Sequence, residues 1–461
     1  MESLIAFFEK LLSAQKPCVQ SLSHRSLLDG LSVGHFPGTS CQTTIIHSLP
    51  DRDLQSAVHW NPTPLGLTVF ATAAMQSTPF SAAKLDTLLD ESGIDLLLVT
   101  SKHNLQYLLG GYRYYFFEHM DTIGLGRYLP VLGYVKGNLE QAFYVGSGDE
   151  AWGIEVFPFW PQQISTEVWT SGEAARIAAQ YVKSLGITAP KIGLELEFWT
   201  ANAWEKLRTE LPGATFVDST EVLEELRAAK TPEELDQLRK AAAAIVDSMV
   251  ATFHWLREGM IETHVVEHLR LEETSRGLDY GFTLIATGPT FGRGPSSRRI
   301  GNGEIVSIDT GGQYHGYLAD MARMGVLGEP TALMKELLDE VSSVQAAART
   351  PIKAGSLGGT IYDSALKALE GCPHRADMHF VAHGMGLIPH EAPRLTASGP
   401  IPYPDKHAKR PLETGMILSI ETSLKHPDVG FVKLEDTVAV TDSGWEAFGD
   451  WGRGWNQPEL R

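Results

Sequence analysis

Four acidic residues and one histidine follow short apolar runs at widely separated points of the chain. They are Asp309, Asp320, His383, Glu421 and Glu435, and glycines or other turn residues lie close to each. Four carboxylates packed together would repel one another strongly unless cations neutralised them. Two divalent metal ions would supply that charge, and paired metal ions can activate water and hold a reacting group. The five residues therefore predict a dinuclear metal centre and a metal-dependent hydrolase.

The first two acids flank a pair of glycines. The apolar run 304–309 predicts a strand that ends at Asp309, and Gly311 and Gly312 predict a tight reversal before a returning strand delivers Asp320. Asp is depleted in strand interiors, so two of them on such apolar strands need a reason. Taken alone, the pair is explained as well by two solvent-facing acids in a turn.

The histidine belongs to a segment with an unusual concentration of imidazoles. Four histidines fall between residues 374 and 390, and His383 is followed by Gly-Met-Gly before His390 and Glu391. Small glycines let the backbone approach a site closely, and a neutral imidazole is a common metal ligand. A lone histidine is more often structural, but this concentration favours a functional site.

The last two acids interrupt apolar strands. Glu421 follows Ile-Leu-Ser-Ile, and Glu435 lies between Val-Lys-Leu and Val-Ala-Val. A glutamate buried there without a partner would be costly, and metal coordination would compensate. The alternative is an ion pair, for instance with Arg323 or Lys433.

The surrounding pattern changes along the chain. Residues 79–228 alternate apolar strands with helices, which is typical of an α/β domain. Thr231-Pro-Glu-Glu then predicts the start of a long helix, and strands with Gly-rich turns dominate beyond it. The individual predictions are strands at 94–100, 131–135, 142–146 and 191–195, and helices at 81–93, 172–185, 200–211, 231–259, 262–277, 330–348 and 360–370.

The first 78 residues differ from the rest. They are rich in Ser, Thr, His and Pro and show weak periodicity. We expect an irregular N-terminal extension, or a natural start of the protein at Met75. The predicted organisation is an extension at 1–78, an α/β domain at 79–228 and a catalytic domain at 229–461.

Composition excludes several classes of partner. The formal net charge of −18 argues against nucleic acid and against an anionic membrane surface. No apolar stretch reaches the roughly 18 residues that span a bilayer. The three cysteines form no CxxC pair, which fits a reducing, cytoplasmic setting.

Taken together, these segments resemble the pita-bread metallopeptidases of family M24, in the branch that includes creatinase, prolidase and Xaa-Pro aminopeptidase. Two further segments carry the resemblance, Asn104-Leu-Gln-Tyr-Leu-Leu-Gly-Gly and Leu226-Arg-Ala-Ala-Lys230-Thr-Pro-Glu-Glu. The resemblance implies an α/β N-terminal domain followed by an α+β pita-bread catalytic domain. It favours this two-domain branch over the single-domain methionine aminopeptidases.

The resemblance also assigns roles to the five candidate ligands. It implies that Asp309 chelates one metal ion and that Asp320 and Glu435 bridge both ions. His383 and Glu421 would complete the other site. Oxygen-dominated ligands favour Mn²⁺, with Fe²⁺, Co²⁺ or Zn²⁺ as alternatives.

Two residues are implied to act in catalysis. Glu421 would handle the proton of the attacking water. His390 matches the second histidine of the family's His-Gly-x-Gly-x-x-x-His-Glu segment, and there it would contact the substrate carbonyl and hold the tetrahedral oxyanion.

Two departures from the family pattern bear on the substrate. Peptidase members carry a histidine before the first metal strand, but residues 287–300 have none and instead carry Arg293, Arg298 and Arg299. A threonine follows Glu421 where the family has proline. The arginines could grip a substrate carboxylate, or they could be solvated loop charges.

The resulting hypothesis is a dinuclear metal hydrolase of an amide or related C–N bond in a small molecule or short peptide, with Xaa-Pro peptides as the leading substrate. The alternative is a non-peptidase member of the family: a creatinase-like or ectoine-hydrolase-like C–N hydrolase, or a dimethylsulfoniopropionate-type lyase. A non-enzymatic binding module is disfavoured, because such members often lose ligands and this chain keeps five. The resemblance further implies a homodimer.

Overall fold

The computed structural model describes residues 78–121, 124, 126–397 and 404–459. The predicted extension, apart from its last residue, and the alternative start at Met75 lie outside this part of the chain. Both therefore stay predictions, as does the domain division at residue 228. None of the helices in the described part of the chain combines the length and the apolar composition that a membrane span requires.

The N-terminal part, Ala82–Leu226, is an α/β layer structure around one mixed sheet of six strands in the order β4-β3-β2-β1-β5-β6. Its first helix begins where the sequence predicts, because the Ser81 side chain caps it, and it ends at Gly93 in the left-handed conformation (φ 62°). The strands are β1 Leu96–Val99, β2 Val131–Val135, β3 Phe143–Ser147, β4 Gln163–Val168, β5 Lys191–Leu194 and β6 Thr215–Asp218. The helices are α1 Ala82–Ser92, α2 Lys102–Leu108, α3 Glu150–Val156, α4 Ser171–Ser184, α5 Ala201–Glu210 and α6 Thr220–Leu226.

The C-terminal part, Pro232–Asn456, is an α+β structure around an eight-stranded sheet, in which six strands run in the order β10-β11-β12-β9-β8-β7. Two short strands lie off this path, with β13 paired to β12 and β14 paired to β9. The strands are β7 Asp279–Thr287, β8 Ile305–Tyr314, β9 Tyr317–Val326, β10 Met378–Gly384, β11 Ile417–His426, β12 Gly430–Val440, β13 Trp445–Phe448 and β14 Trp455–Asn456. The helices are α7 Pro232–Trp255, α8 Glu262–Ser275, α9 Ala332–Arg349 and α10 Thr360–Leu369.

Helices cover one face of the large sheet. Side chains that alternate along the central strands, such as Ile308 on β8, pack with α7 and α8, while Ile420 and Leu434 pack with α9 and α10. Because successive strand residues point to opposite faces, Asp309 and Glu421, which follow two of these core residues, lie on the face away from the helices. The expected fold class, α/β followed by α+β, is confirmed.

The reversal between β8 and β9 is not at the glycine pair that the sequence indicated. Both strands continue through Gly311 and Gly312, which pair with Asp320 and Ala319. The turn is instead the dipeptide His315-Gly316, with φ of 49° and 85°, and two positive φ values are what a two-residue hairpin turn of the I′ type requires. Asp309 therefore lies inside β8 rather than at its end.

A buried polar network joins the two parts of the molecule. Arg227, just after α6, donates from Nε to Glu391 Oε2 at 3.0 Å and from Nη1 to the Asn104 side-chain oxygen on α2. Lys230 Nζ lies 2.9 Å from the other Glu391 oxygen. Asn104 also donates to Glu195 Oε1 at 2.6 Å, so the network runs from the six-stranded sheet to the segment that carries His390.

Candidate metal centre

Strand pairing places the two predicted aspartates on one face. Asp309 on β8 lies opposite Ala322 on β9. Asp320 precedes Ala322 by two residues, and residues two apart on a strand share a face. The two carboxylates are therefore diagonal neighbours across the β8–β9 pair.

The same reasoning extends across the next three strands. Glu435 on β12 also lies opposite Ala322, and Glu421 on β11 lies opposite Glu435. His383 on β10 pairs with Ser419, which precedes Glu421 by two residues. All five predicted ligands thus point from five strands to the same face of the sheet.

Three of these side chains form a compact ligand group. One ligand atom from each of Asp320, His383 and Glu435 lies within 4.8 Å of the others. Glu421 is adjacent, with its Oε1 at 3.7 Å from His383 Nε2. Asp320 Oδ1 is buried with no hydrogen-bond partner, which is unusual for a buried oxygen. An oxygen-rich set with such an orphaned acceptor fits a divalent cation.

Lys433 lies among the carboxylates. Its Nζ is 2.6 Å from Asp309 Oδ2, 2.6 Å from Glu421 Oε2 and 2.7 Å from Glu435 Oε2. The ion pair that the sequence offered as an alternative to metal coordination is therefore present through Lys433. The other proposed partner, Arg323, faces the opposite side of the sheet and pairs with Asp436 at 2.8 Å.

A second cation reaches the site from the β7–β8 loop. Arg293 Nη2 contacts Asp309 Oδ2, and its guanidinium stacks over the Phe431 ring at 4.9 Å. The other two loop arginines stay outside the site, since Arg298 pairs with Glu304 at 2.6 Å and Arg299 donates to the Gly259 carbonyl at 2.7 Å. Of the three arginines, Arg293 alone contacts a predicted ligand.

The electrostatics of the site follow from burial and crowding. Burial, and then the neighbouring Glu435, raise the pKa of Asp320 well above its usual value and also raise the pKa of Glu421. Burial opposes the charge on Glu435 too, but Lys433 and His383 hold the pKa of this carboxyl below its usual value. Burial and crowding thus disfavour the charged forms of Asp320 and Glu421, and a bound cation would favour those charged forms.

His383 and His390 stack, with ring centroids 3.9 Å apart. His383 Nδ1 lies 3.2 Å from the Gly384 carbonyl, and donation from Nδ1 would leave Nε2, on the side of Glu421 and Glu435, as an acceptor for a metal ion. Burial, and then His383, lower the pKa of His390 to about 4. His390 is therefore neutral near pH 7, with a buried Nδ1 that has no hydrogen-bond partner.

Sequence reasoning missed two participants. It treated Lys433 only as a competing ion-pair partner, although its position two residues before Glu435 places it on the same face of β12. It did not single out Ser419, whose hydroxyl donates to Glu435 Oε1 at 2.6 Å. The strand period was a usable signal for both residues.

Two known families match the chain, and the boundary between their matched segments falls at the junction between the two sheets. Residues 236–442 match metallopeptidase family M24, and residues 82–229 match the creatinase/prolidase N-terminal domain. The two matched segments contain the six-stranded sheet, strands β7 to β12 of the large sheet and all five predicted ligands.

Two relatives and one solved structure are similar to this protein over most of the chain. An uncharacterized peptidase of Bacillus subtilis (strain 168) is 26% identical over 78% of this chain and 95% of its own length. An Xaa-Pro dipeptidase of Lactobacillus delbrueckii subsp. lactis is 24% identical over 79% of this chain and 95% of its own. A solved structure of an Xaa-Pro dipeptidase from Bacillus anthracis superposes with a TM-score of 0.68 at 24% identity, covering 82% of this chain and 99% of that one. The pita-bread architecture expected from the sequence is thereby confirmed.

Proposed function

Because this chain belongs to metallopeptidase family M24, in its creatinase and prolidase branch, we propose that it hydrolyses the amide bond before proline in short Xaa-Pro peptides. The observation that carries the proposal is the convergence of four carboxylates and one imidazole on a single face of the sheet. The names of the relatives, which include Xaa-Pro dipeptidase, support the choice of substrate.

We propose Asp309, Asp320, His383, Glu421 and Glu435 as ligands for two divalent ions, with Mn²⁺ as the preferred metal. The orphaned Asp320 oxygen supports this assignment, as does the shortage of positive charge among four acids. Bound ions of this kind would polarise the scissile carbonyl and make water more acidic.

We assign proton transfer to Glu421. Its side chain is 18% exposed, whereas that of Glu435 is 2% exposed, so it is the more accessible of the two glutamates. Burial, and then Glu435, raise its pKa, which brings this carboxyl closer to the range where a general base also returns its proton.

We assign His390 to the substrate carbonyl. A neutral imidazole can donate one hydrogen bond without adding charge, and the donor strengthens as the carbonyl oxygen becomes negative in the transition state. Stacking on His383 holds the ring beside the ligand group.

The proposal is tested by metal analysis and a peptide assay on the same preparation. The protein is stripped of metal, reloaded with Mn²⁺, and assayed with an Xaa-Pro dipeptide and the matched Xaa-Ala dipeptide. We expect manganese-dependent cleavage of the first and much slower cleavage of the second. Full metal occupancy with no cleavage of either peptide would reject peptidase activity.

One observation favours a second candidate, a non-peptidase C–N hydrolase or lyase of the same family. The β7–β8 loop lacks the histidine found in peptidase members and places Arg293 on a predicted ligand instead. If the peptide assay fails on metal-loaded protein, a screen of cyclic amidines, creatine-like compounds and sulfonium acids would test this alternative.

Assembly and compartment are part of the proposal. We propose a cytoplasmic homodimer that acts on small molecules or short peptides and binds neither nucleic acid nor membranes. The net charge of −18 and the free, buried Cys372 support this setting. Sedimentation equilibrium at several protein concentrations tests the dimer, and a monomer at all of them would reject it.

A further inference from the structure

We propose that Arg293 competes with a metal ion for the Asp309 carboxylate and thereby weakens the binding of the ion that would use this carboxylate. This inference rests on the proposed metal centre and concerns the order and strength of its loading. It makes Arg293 a residue that regulates metal occupancy.

Two cations already occupy the Asp309 carboxylate. One carboxylate oxygen, Oδ2, is shared by Lys433 Nζ at 2.6 Å and by Arg293 Nη2. Charge-assisted hydrogen bonds of this kind are the strong ones, and Asp309 is only 4% exposed. A metal ion that uses this oxygen must displace at least one of the two cations.

The charges of the site also limit how many metal ions it can hold. The four acids carry four negative charges when ionised, and Lys433 and Arg293 return two positive ones. One divalent ion then balances the site, whereas a second would leave an excess of positive charge in a buried region, where uncompensated charge is costly. The compact ligand group contains Asp320, His383 and Glu435 but not Asp309, which identifies the side that fills first.

Arg293 is the cation that can leave. The Lys433 side chain is 5% exposed and fixed by three carboxylates. The Arg293 side chain is 29% exposed and extends from a loop. Movement of Arg293 away from Asp309 therefore needs no change in the sheet.

The test is Mn²⁺ binding to the metal-stripped full-length protein, measured by equilibrium dialysis with elemental analysis. Arg293→Gln removes the charge and keeps a polar side chain, and Arg293→Lys keeps the charge. Arg299→Gln is the matched control, because it removes the same charge from the same loop at an exposed residue that does not touch the site. Electron paramagnetic resonance adds a readout independent of activity, since two neighbouring Mn²⁺ ions couple and a single ion does not.

We expect the wild type and Arg299→Gln to bind one Mn²⁺ tightly and a second at least about tenfold more weakly. In Arg293→Gln the second ion should bind roughly tenfold more tightly, which corresponds to ~1.4 kcal/mol, and the coupled signal should appear at lower Mn²⁺. Arg293→Lys should resemble the wild type.

Two results would overturn the inference, and they are distinguishable. Two ions bound equally in all variants would reject competition by Arg293 and leave the proposed metal centre standing. No specific Mn²⁺ binding by the wild type would reject the metal centre itself, and this inference with it.

Discussion

At the scale of single residues, one strand separates two kinds of buried charge. Glu435 on β12 points to the predicted ligands, while the next residue, Asp436, points to the opposite face and contacts Arg323, Arg349 and Arg453. Burial opposes the charge on Asp436, but these arginines hold its pKa below the usual value. Asp436 is thus fully compensated by the protein, and Glu435 belongs to a group with more acids than cations. The excess of negative charge, rather than burial alone, distinguishes a metal site from an ion-pair cluster.

Removing one predicted ligand should remove the metal. Asp320→Asn keeps the shape of the side chain but loses the charge and one oxygen ligand, so we expect loss of most Mn²⁺ binding and of metal-dependent activity. The control is Asp363→Asn at an exposed acid on α10, which should bind Mn²⁺ like the wild type. Elemental analysis after dialysis measures both, and full occupancy in Asp320→Asn would contradict the assignment.

His390 should separate catalysis from metal binding. His390→Ala removes the donor proposed for the carbonyl oxygen, and the loss of one such donor costs about 10²–10³ in kcat. Metal content should stay at the wild-type value because His390 is not a predicted ligand. An unchanged kcat, measured by steady-state assay under saturating substrate, would refute its role.

A buried acid behind β8 should make stability depend on pH. Burial raises the pKa of Glu273 to about 8, although Thr310 donates to its Oε1 at 2.9 Å. At pH values between the ordinary carboxyl pKa and about 8, Glu273 stays protonated in the folded state and loses its proton in the unfolded state. The contribution of Glu273 to the free energy of unfolding is therefore fully present below about pH 4.5. It is lost as pH rises toward about 8, by up to ~1.4 kcal/mol per pH unit.

Glu273→Gln should abolish that slope. We expect its free energy of unfolding, relative to the wild type, to increase steadily from about pH 5 to about pH 8. Urea unfolding at several pH values measures it, with exposed Glu205→Gln as the control. A constant difference across this range would show that Glu273 is ionised in the folded protein.

At the scale of elements, the β8–β9 hairpin positions both aspartates and also contacts the N-terminal part. The Gln106 side chain on α2 donates to the His315 carbonyl in the turn at 2.9 Å. A Cβ on Gly316 would lie 2.0 Å from Gln106 Nε2. The turn therefore needs glycine for two reasons, its positive φ and the neighbouring helix.

Gly316→Ala should lower the free energy of unfolding more than the same substitution at another glycine with positive φ. Gly303 has a similar φ of 78° but no atom within 4 Å of a built Cβ, so Gly303→Ala reports the backbone strain alone, about 1–2 kcal/mol. We expect Gly316→Ala to lose more stability in urea unfolding because Gln106 must also move. Equal losses would mean that the contact between the hairpin and α2 contributes nothing.

At the scale of the whole molecule, the N-terminal and C-terminal parts are joined by buried charged side chains. Arg227 and Glu391 are 2% and 1% exposed. Burial opposes the charge on Glu391, but Arg227 and Lys230 lower its pKa to about 2. Because Glu391 follows His390 directly, the position of the N-terminal part and that of the proposed catalytic histidine depend on one ion-pair network.

Breaking this network should destabilise the whole protein. Arg227→Ala leaves Glu391 without one of its cations and leaves a cavity where the arginine side chain was buried. Loss of one partner from a buried ion pair lowers the free energy of unfolding by roughly 3–5 kcal/mol. Lys183→Ala, which breaks an exposed pair with Glu210, should lower stability far less, because water screens exposed ion pairs. Denaturant unfolding compares them, and similar small losses would show that the junction network adds little.

The sequence by itself determined the fold class and many of the helices and strands, and it supplied the five residues that stay the predicted ligands. It did not predict strands β4 and β6 or helices α2 and α3. Helix caps such as Ser81 and Thr231 act within one turn of the chain, and strand periodicity is equally local, so both can be read from neighbouring residues. The position of the β8–β9 turn was misplaced, because Gly311 and Gly312 carry a turn signal and yet serve close packing, with built Cβ atoms at 2.5 Å from Phe282 and 3.2 Å from Leu278.

Only the tertiary structure decided how the charges are shared. Lys433 and Arg293 come from a strand and a loop that the chain brings together over more than a hundred residues, and sequence spacing gives no distance between them. Pairing across five strands fixes which side chains face each other, and register is a property of the folded sheet. For that reason the residue types predicted a metal centre, while the competition between metal ions and built-in cations emerged from the fold.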